Sequence, residues 1–283
     1  MENSNSTSNV LSEEMQLWEK LDGPLPFRLT NAYLFVAVLQ KNNESLCSLI
    51  AVLLHIPREE ILSVEVLNPI ILGQEIDKKD CVLDLLVLLN DHVRINLEIQ
   101  VKNEGNWDDR SVYYLAQNVC SLQSGDSYQD LQPTVQIGIL DFTFPRENTE
   151  FYQEIVLMNR KTHRIFNDKI ALNVLCLSQI ENATQEDKDS GLYLWAKIFK
   201  ATTWKELKAL AQGNNMVQKT VVTMAELSED EKIREQCRRR EKYERDRISS
   251  FKAGVSEGEH IMLTLMQRLL ESGRGEEIGA HCK

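Results

Sequence analysis

A polar trio, Asn90-Asp91-His92, stands between two runs of strand-forming residues, 81–89 and 93–101. Such a pattern specifies an antiparallel hairpin with a tight connection. In the second run Val93, Ile95, Leu97, Ile99 and Val101 alternate with Arg94, Asn96, Glu98, Gln100 and Lys102. A period of two puts Glu98 and Gln100 on one face and the aliphatic residues on the other. The first run is apolar on both faces apart from Asp84, the signature of a buried strand that carries one costly carboxylate.

Loop length decides what Asp84 faces. A three-residue loop sets Leu89 opposite Val93 and hence Asp84 opposite Glu98, whereas a two-residue loop sets Asp84 against Leu97 and separates the acids. The three-residue register is the expected one. Opposed carboxylates repel unless a positive group lies between them, and a divalent cation is the simplest such group, with the Ile99 carbonyl as a further oxygen ligand. The competing reading is an amphipathic edge hairpin whose acids face water, and on spacing alone it is the simpler one.

Motifs elsewhere bear on this choice. LPFRLTNAYLFVAVLQ at 25–40, the Asn68-Pro69 pair, the Asp84 to Glu98-Ile99-Gln100 hairpin, Arg110-Ser111-Val112-Tyr113-Tyr114 and Gly125-Asp126-Ser127-Tyr128 occur in that order. Together they resemble the PD-(D/E)XK nuclease superfamily, and within it the transposase-like, recombination-promoting nuclease branch, from about Pro24 to the early 180s and more loosely beyond. The resemblance implies an α/β, restriction-endonuclease-like fold with a mixed central sheet flanked by helices and a helical C-terminal extension. It also implies a Mg²⁺- or Mn²⁺-dependent endonuclease acting on DNA, linked to recombination or mobile elements. Asp84, Glu98 and Gln100 take the catalytic positions, and Asp84, Glu98 and the Ile99 carbonyl the metal positions. Where the superfamily pattern usually has lysine this chain has Gln100, and where the family's first helix usually has an acid and then a lysine it has Ala32 and Val36. These departures leave an alternative open: a catalytically silent nucleic-acid or protein interaction module on the same fold.

The remaining stretches supply helices and further strands. Helices are expected from Thr30 or Asn31 to about Lys41 and from Asn42 or Asn43 to about His55, with Glu44 at the start of the second as a helix-dipole partner or a substitute acid. A helix from Asp108 or Asp109 to about Gln123 carries an apolar stripe of Val112, Leu115, Val119 and Leu122. Following the hairpin directly, it is expected to bring Arg110 and Tyr114 to a phosphodiester. The plainer alternative pairs Arg110 with Asp108 or Asp109. Lys79, in the loop before the hairpin, is a further candidate phosphate contact. Strands are expected at Thr134–Asp141 and Ile170–Leu177, with an edge strand pair in Glu150–Asn167 that carries the lone His163.

The composition sets outer limits. A net charge of −11 argues against a surface that coats duplex DNA broadly, while leaving room for a local basic groove. Six scattered cysteines without a C-x-x-C pair read as reduced thiols. A polar, acidic start and the lack of any apolar run of about 20 residues predict a cytoplasmic protein with no membrane association. The expected organisation is a tail over 1–23, a core over 24–182 and a helical extension over 183–283. Glu229–Arg247 holds eight basic and seven acidic residues, a balance that favours a solvated helix with Glu241 and Arg245 four apart. The apolar face of Ile261–Leu270 is the expected interface of a homodimer, the arrangement in which two sites would cut both strands.

Overall fold

The computed structural model describes residues 15–73, 84–120, 122, 125–142 and 150–272. Lys79, residues 1–14, residues 81–83 of the expected first hairpin strand and residues 273–283 lie outside them. The chain divides into two compact units, Met1–Cys237 and Arg238–Lys283.

Six strands form one mixed sheet in the order β1-β2-β3-β4-β6-β5: β1 (Val64–Val66), β2 (Leu85–Leu89), β3 (Val93–Gln100), β4 (Thr134–Leu140), β5 (Tyr152–Met158) and β6 (Ile165–Cys176). The β1-β2-β3 and β6-β5 pairs are antiparallel, and β3-β4-β6 run parallel. The alternation of β3 decides what each face holds. Ile95, Leu97 and Ile99 join Leu85, Val87, Ile137, Ile139 and Leu175 in the main core, while Asn96, Glu98 and Gln100 face the other way.

Helices α1 (Ala32–Lys41) and α2 (Asn43–Leu53) cover the main core. Each starts where an asparagine caps it: Asn31 Oδ1 accepts from Tyr33 N and Leu34 N, and Asn42 Oδ1 from Ser45 N, which satisfies donors a helix start leaves open. Ala32 and Val36 are buried in this core. Glu44 is ion-paired with Lys219 (2.6 Å) at an exposed position. Helices α5 (Leu192–Lys200), α6 (Trp204–Leu210) and α7 (Asn215–Glu229), which follow the short α4 (Gln185–Asp189), add Trp195, Phe199, Leu207 and Val221 to the same cluster. On the other side of the sheet α3 (Trp107–Val119) packs over Leu140, Leu172, Val174 and Cys176 through Trp107.

Two expectations change here. Val112 is 60% exposed because α3 docks through Trp107, Ser111 and Leu115, which are four apart and lie on a different stripe. Strand β6 begins at Ile165, five residues before the expected Ile170, since β5 pairs with its first half ahead of the point where β4 joins. The helix α8 (Glu231–Glu271) is one 41-residue element with Arg245 3.8 Å from Glu241, and Ile261, Leu263, Leu265 and Leu270 on it are exposed.

Candidate active site

The turn between β2 and β3 sets the site's register. Asn90 and Asp91 have φ of 49° and 61°, a conformation asparagine and aspartate tolerate better than most residues. The Asn90 side chain accepts from Leu62 N and Ser63 N and donates to the Glu60 carbonyl, which locks the turn onto the preceding segment. Leu89 pairs with Val93 and Leu85 with Leu97. The loop therefore has three residues, as expected, and the ladder runs outward to Leu85, one residue short of Asp84, so that continuing the register sets Asp84 against Glu98.

A polar ladder crosses three strands beneath these acids. Asn96 Nδ2 donates to Asp84 Oδ2 (3.3 Å) and to Gln136 Oε1 (3.0 Å). Gln136 is fully buried and its Nε2 meets no acceptor. The backbone of Asp84 is held from the other side: Asn68 Nδ2 donates to the Asp84 carbonyl (2.9 Å) and Asn68 Oδ1 accepts from Leu86 N (2.8 Å). Neither Asn96 nor Gln136 was among the candidate residues. The signal for Asn96 was its place on the polar face between Arg94 and Glu98, and for Gln136 a lone amide in a buried strand.

Glu98 is 3% exposed. Arg110 reaches it from α3, donating from Nε (2.9 Å) and Nη2 (2.8 Å) to Oε1, and lies 5.1 Å from the centre of the Tyr114 ring. Burial works against the arginine's charge, but Glu98, Tyr114 and Asp84 outweigh it and raise its pKa above the usual arginine value. The guanidinium thus turns inward to Glu98, 12 residues earlier, and supplies the positive charge that opposed carboxylates require.

What holds Arg110 there is a contact between Trp107 and Gly138. Gly138 pairs with Glu98 across the β3-β4 ladder, and a Cβ on it would lie 2.2 Å from Trp107 Cζ2 and 2.3 Å from Cη2. Space, not backbone conformation, requires the glycine. The ring resting on bare backbone lets the first turn of α3 approach the sheet closely.

The donor set suits a hard cation. Asp84 and Glu98 offer carboxylate oxygens. Asp141 N donates to the Gln100 carbonyl on the β4 side (2.9 Å), so alternation turns the Ile99 carbonyl toward the β2 side, where Asp84 lies. Gln100 donates through Nε2 to the Lys102 carbonyl (2.9 Å), and its buried Oε1 receives no hydrogen bond. An acceptor oxygen in that condition, on the same face of β3 as Glu98, is the chemistry that Mg²⁺ or Mn²⁺, or a water bound to either, satisfies. Among the described residues no group of three or more His, Cys, Asp or Glu is positioned to hold a metal. Beside the site, Arg28 pairs with Asp141 (3.2 Å) and ties the 25–40 stretch to the end of β4.

A family model described as PD-(D/E)XK nuclease family transposase matches residues 31–254. The chain belongs to this family. Within the PD-(D/E)XK nuclease family transposases the matched region takes in the hairpin, α3, the parallel strands and the helices through α7, and membership carries a nuclease-like or transposase-like function. The family's fold agrees with the mixed six-stranded sheet and flanking helices found here. No curated protein and no solved structure matches the chain. Among the described residues no helix is long and apolar enough to cross a membrane.

Proposed function

We propose that this PD-(D/E)XK nuclease family transposase is a metal-dependent DNA endonuclease. The observation that carries the reading is Asp84 bonded to Asn96 on the polar face of β3 that also holds Glu98, with a cationic side chain already drawn between α3 and the buried acid. Asp84, Glu98 and the Ile99 carbonyl hold Mg²⁺ or Mn²⁺. When bound, such an ion polarises the scissile phosphate and lowers the pKa of a coordinated water toward neutrality. Asn96 and Asn68 keep the Asp84 carboxylate turned to the site. Gln100 accepts a hydrogen bond from the attacking water at Oε1 and so orients it, without the full charge a lysine would bring. Arg110, with 23% of its side chain exposed, donates to a non-bridging phosphate oxygen, with Tyr114 bracing the guanidinium from behind. Lys79, which lies outside the described residues, is the further candidate for a phosphate contact.

The test is cleavage of supercoiled plasmid with added Mg²⁺ or Mn²⁺, comparing the intact protein with Glu98→Ala and with EDTA. Nicked or linear product that both EDTA and Glu98→Ala abolish supports the reading. Absence of cleavage with either metal, in protein whose circular dichroism shows it folded, rejects it in favour of the silent interaction module, in which Arg110 serves as the permanent partner of Glu98.

A further inference from the structure

The β5-β6 hairpin extends beyond the sheet. Strand β4 pairs with β6 only from Ile170 onward, whereas β6 begins at Ile165 and its turn spans 159–164. Every residue from Leu157 to Phe166 is exposed. Register slips on either side of Leu157 mark an irregularity of the kind that bends a hairpin and re-aims its tip.

The tip is basic and built. Asn159 to Arg164 reads NRKTHR, with Arg160, Lys161 and Arg164 and no acid, in a chain whose net charge is −11. Asn159 Oδ1 accepts from Lys161 N (3.0 Å) and Thr162 N (2.9 Å), Asn159 N donates to the Arg164 carbonyl (2.9 Å), and His163 N to the Asn159 carbonyl (2.8 Å) with His163 at φ 54°. Behind the cations Phe166 is 80% exposed. Three cations at the end of a two-stranded arm, on an otherwise acidic protein, complement a polyanion.

We infer that the β5-β6 hairpin is a nucleic-acid-binding arm whose Arg160, Lys161 and Arg164 engage the phosphate backbone of duplex DNA away from the cleavage site. This rests on the endonuclease reading for its choice of partner. Val174 shares a row with Glu98 through Gly138, and ten residues of β6 separate it from Arg164. At about 3.3 Å per residue the reach is at most about 33 Å, within one turn of B-DNA at about 34 Å. One duplex lying along the strands therefore meets both the carboxylates and the arm. Such an arm also reconciles DNA binding with the net charge, since it concentrates the attraction in one protruding element and leaves the rest of the surface acidic.

The test is fluorescence anisotropy with a labelled DNA duplex of about three helical turns, in EDTA, on the full chain and its Arg160→Ala/Lys161→Ala/Arg164→Ala variant. The triple variant is expected to bind about tenfold or more weakly, and its plot of log affinity against log salt to flatten by about 2 to 3, close to 0.9 per lost phosphate contact. An unchanged affinity and slope in the triple variant overturns the inference, as does an intact protein that binds no duplex. A drop in oligomeric mass by light scattering with DNA binding unchanged overturns it too, and assigns the hairpin to self-association. The two readings fail separately: Glu98-dependent cleavage with full binding by the triple variant refutes the arm alone, and hairpin-dependent binding without cleavage refutes the nuclease alone.

Discussion

Gly138→Ala tests the packing that positions the site. The added Cβ would stand 2.2 Å from Trp107 Cζ2, whereas carbon atoms in contact stay about 3.5 Å apart or more. The ring must therefore retreat by about 1.3 Å, the difference between those distances. Trp107 is 4% exposed and, besides meeting Gly138, clusters with the Leu140, Leu172 and Val174 side chains, so a retreat of the ring presses on packed neighbours. The cost belongs at the upper end of overpacking, about 3 kcal/mol. For a domain of this size that lowers Tm by about 6 to 12 °C. The effect reaches the site because Arg110 lies three residues along α3 from Trp107: a helix shifted by about 1.3 Å stretches the 2.8 Å bond to Glu98 to as much as about 4 Å, outside hydrogen-bonding range. Thermal unfolding of Gly138→Ala, Trp107→Leu and the double variant measures the coupling. In the double variant the clash is relieved, so its loss of stability is expected to fall short of the sum of the single losses by about 1 kcal/mol or more. A Gly138→Ala protein with the parent Tm and plasmid cleavage, or strict additivity in the double variant, would refute the argument.

Other outcomes follow from the same contacts. Arg110→Ala leaves a carboxylate that is 3% exposed without its arginine, at a cost near the lower end of the 3 to 5 kcal/mol range for breaking a buried pair, about 3 kcal/mol. Added Mn²⁺ is expected to raise the Tm of this variant by more than it raises that of the parent, and equal shifts would argue against a shared cation position. Asn96→Leu removes the donor to both Asp84 and Gln136. Its single-turnover cleavage is expected to fall by about 10 to 100-fold, the usual effect of losing a group that orients a metal ligand, with duplex affinity in EDTA unchanged. Burial pushes the Cys176 thiol from 9.0 up to about 11, so the unfolded chain loses this proton first as pH rises. Its contribution is complete below pH 9 and is lost through about pH 11, at about 1.4 kcal/mol per pH unit. Urea unfolding between those values is expected to be steeper in pH for the parent than for Cys176→Ala.

The hairpin was legible because its information is local. Alternation in β3 separates the two faces without reference to any other part of the chain, and the tolerance of Asn90 and Asp91 for positive φ accounts for a three-residue turn. Helix starts at Asn31 and Asn42 were legible for the same reason, since a cap is a short-range hydrogen bond. The orientation of α3 was not. Val112, Leu115 and Val119 make a plausible stripe in isolation, but the helix is rotated by Trp107 seating on Gly138, a contact between residues 31 apart. The same holds for the amide ladder: Asn96 and Gln136 are unremarkable apart, and their meaning comes from neighbouring positions in a parallel pair that no local pattern announces. Ala32 and Val36 are buried in one cluster with Leu34, Phe35 and Leu39, which leaves the acidic hairpin and α3 to supply the polar groups of the site.

The β2-β3 turn acts as a length standard for the site. Asp84 and Glu98 lie six residues from the turn on either side, on the order of 20 Å away at the strand rise. Their meeting nevertheless depends on which residues the turn sets opposite each other, Leu89 and Val93. A turn re-formed one residue off, with Leu89 opposite His92, would leave both acids, Arg110 and Gln100 in the chain and would remove nothing from the acidic end. It would turn one strand by a face, so that Asp84 met Leu97 and lost Glu98. The conformation of two exposed turn residues, Asn90 and Asp91, thus sets a pairing that lies six residues away along each strand.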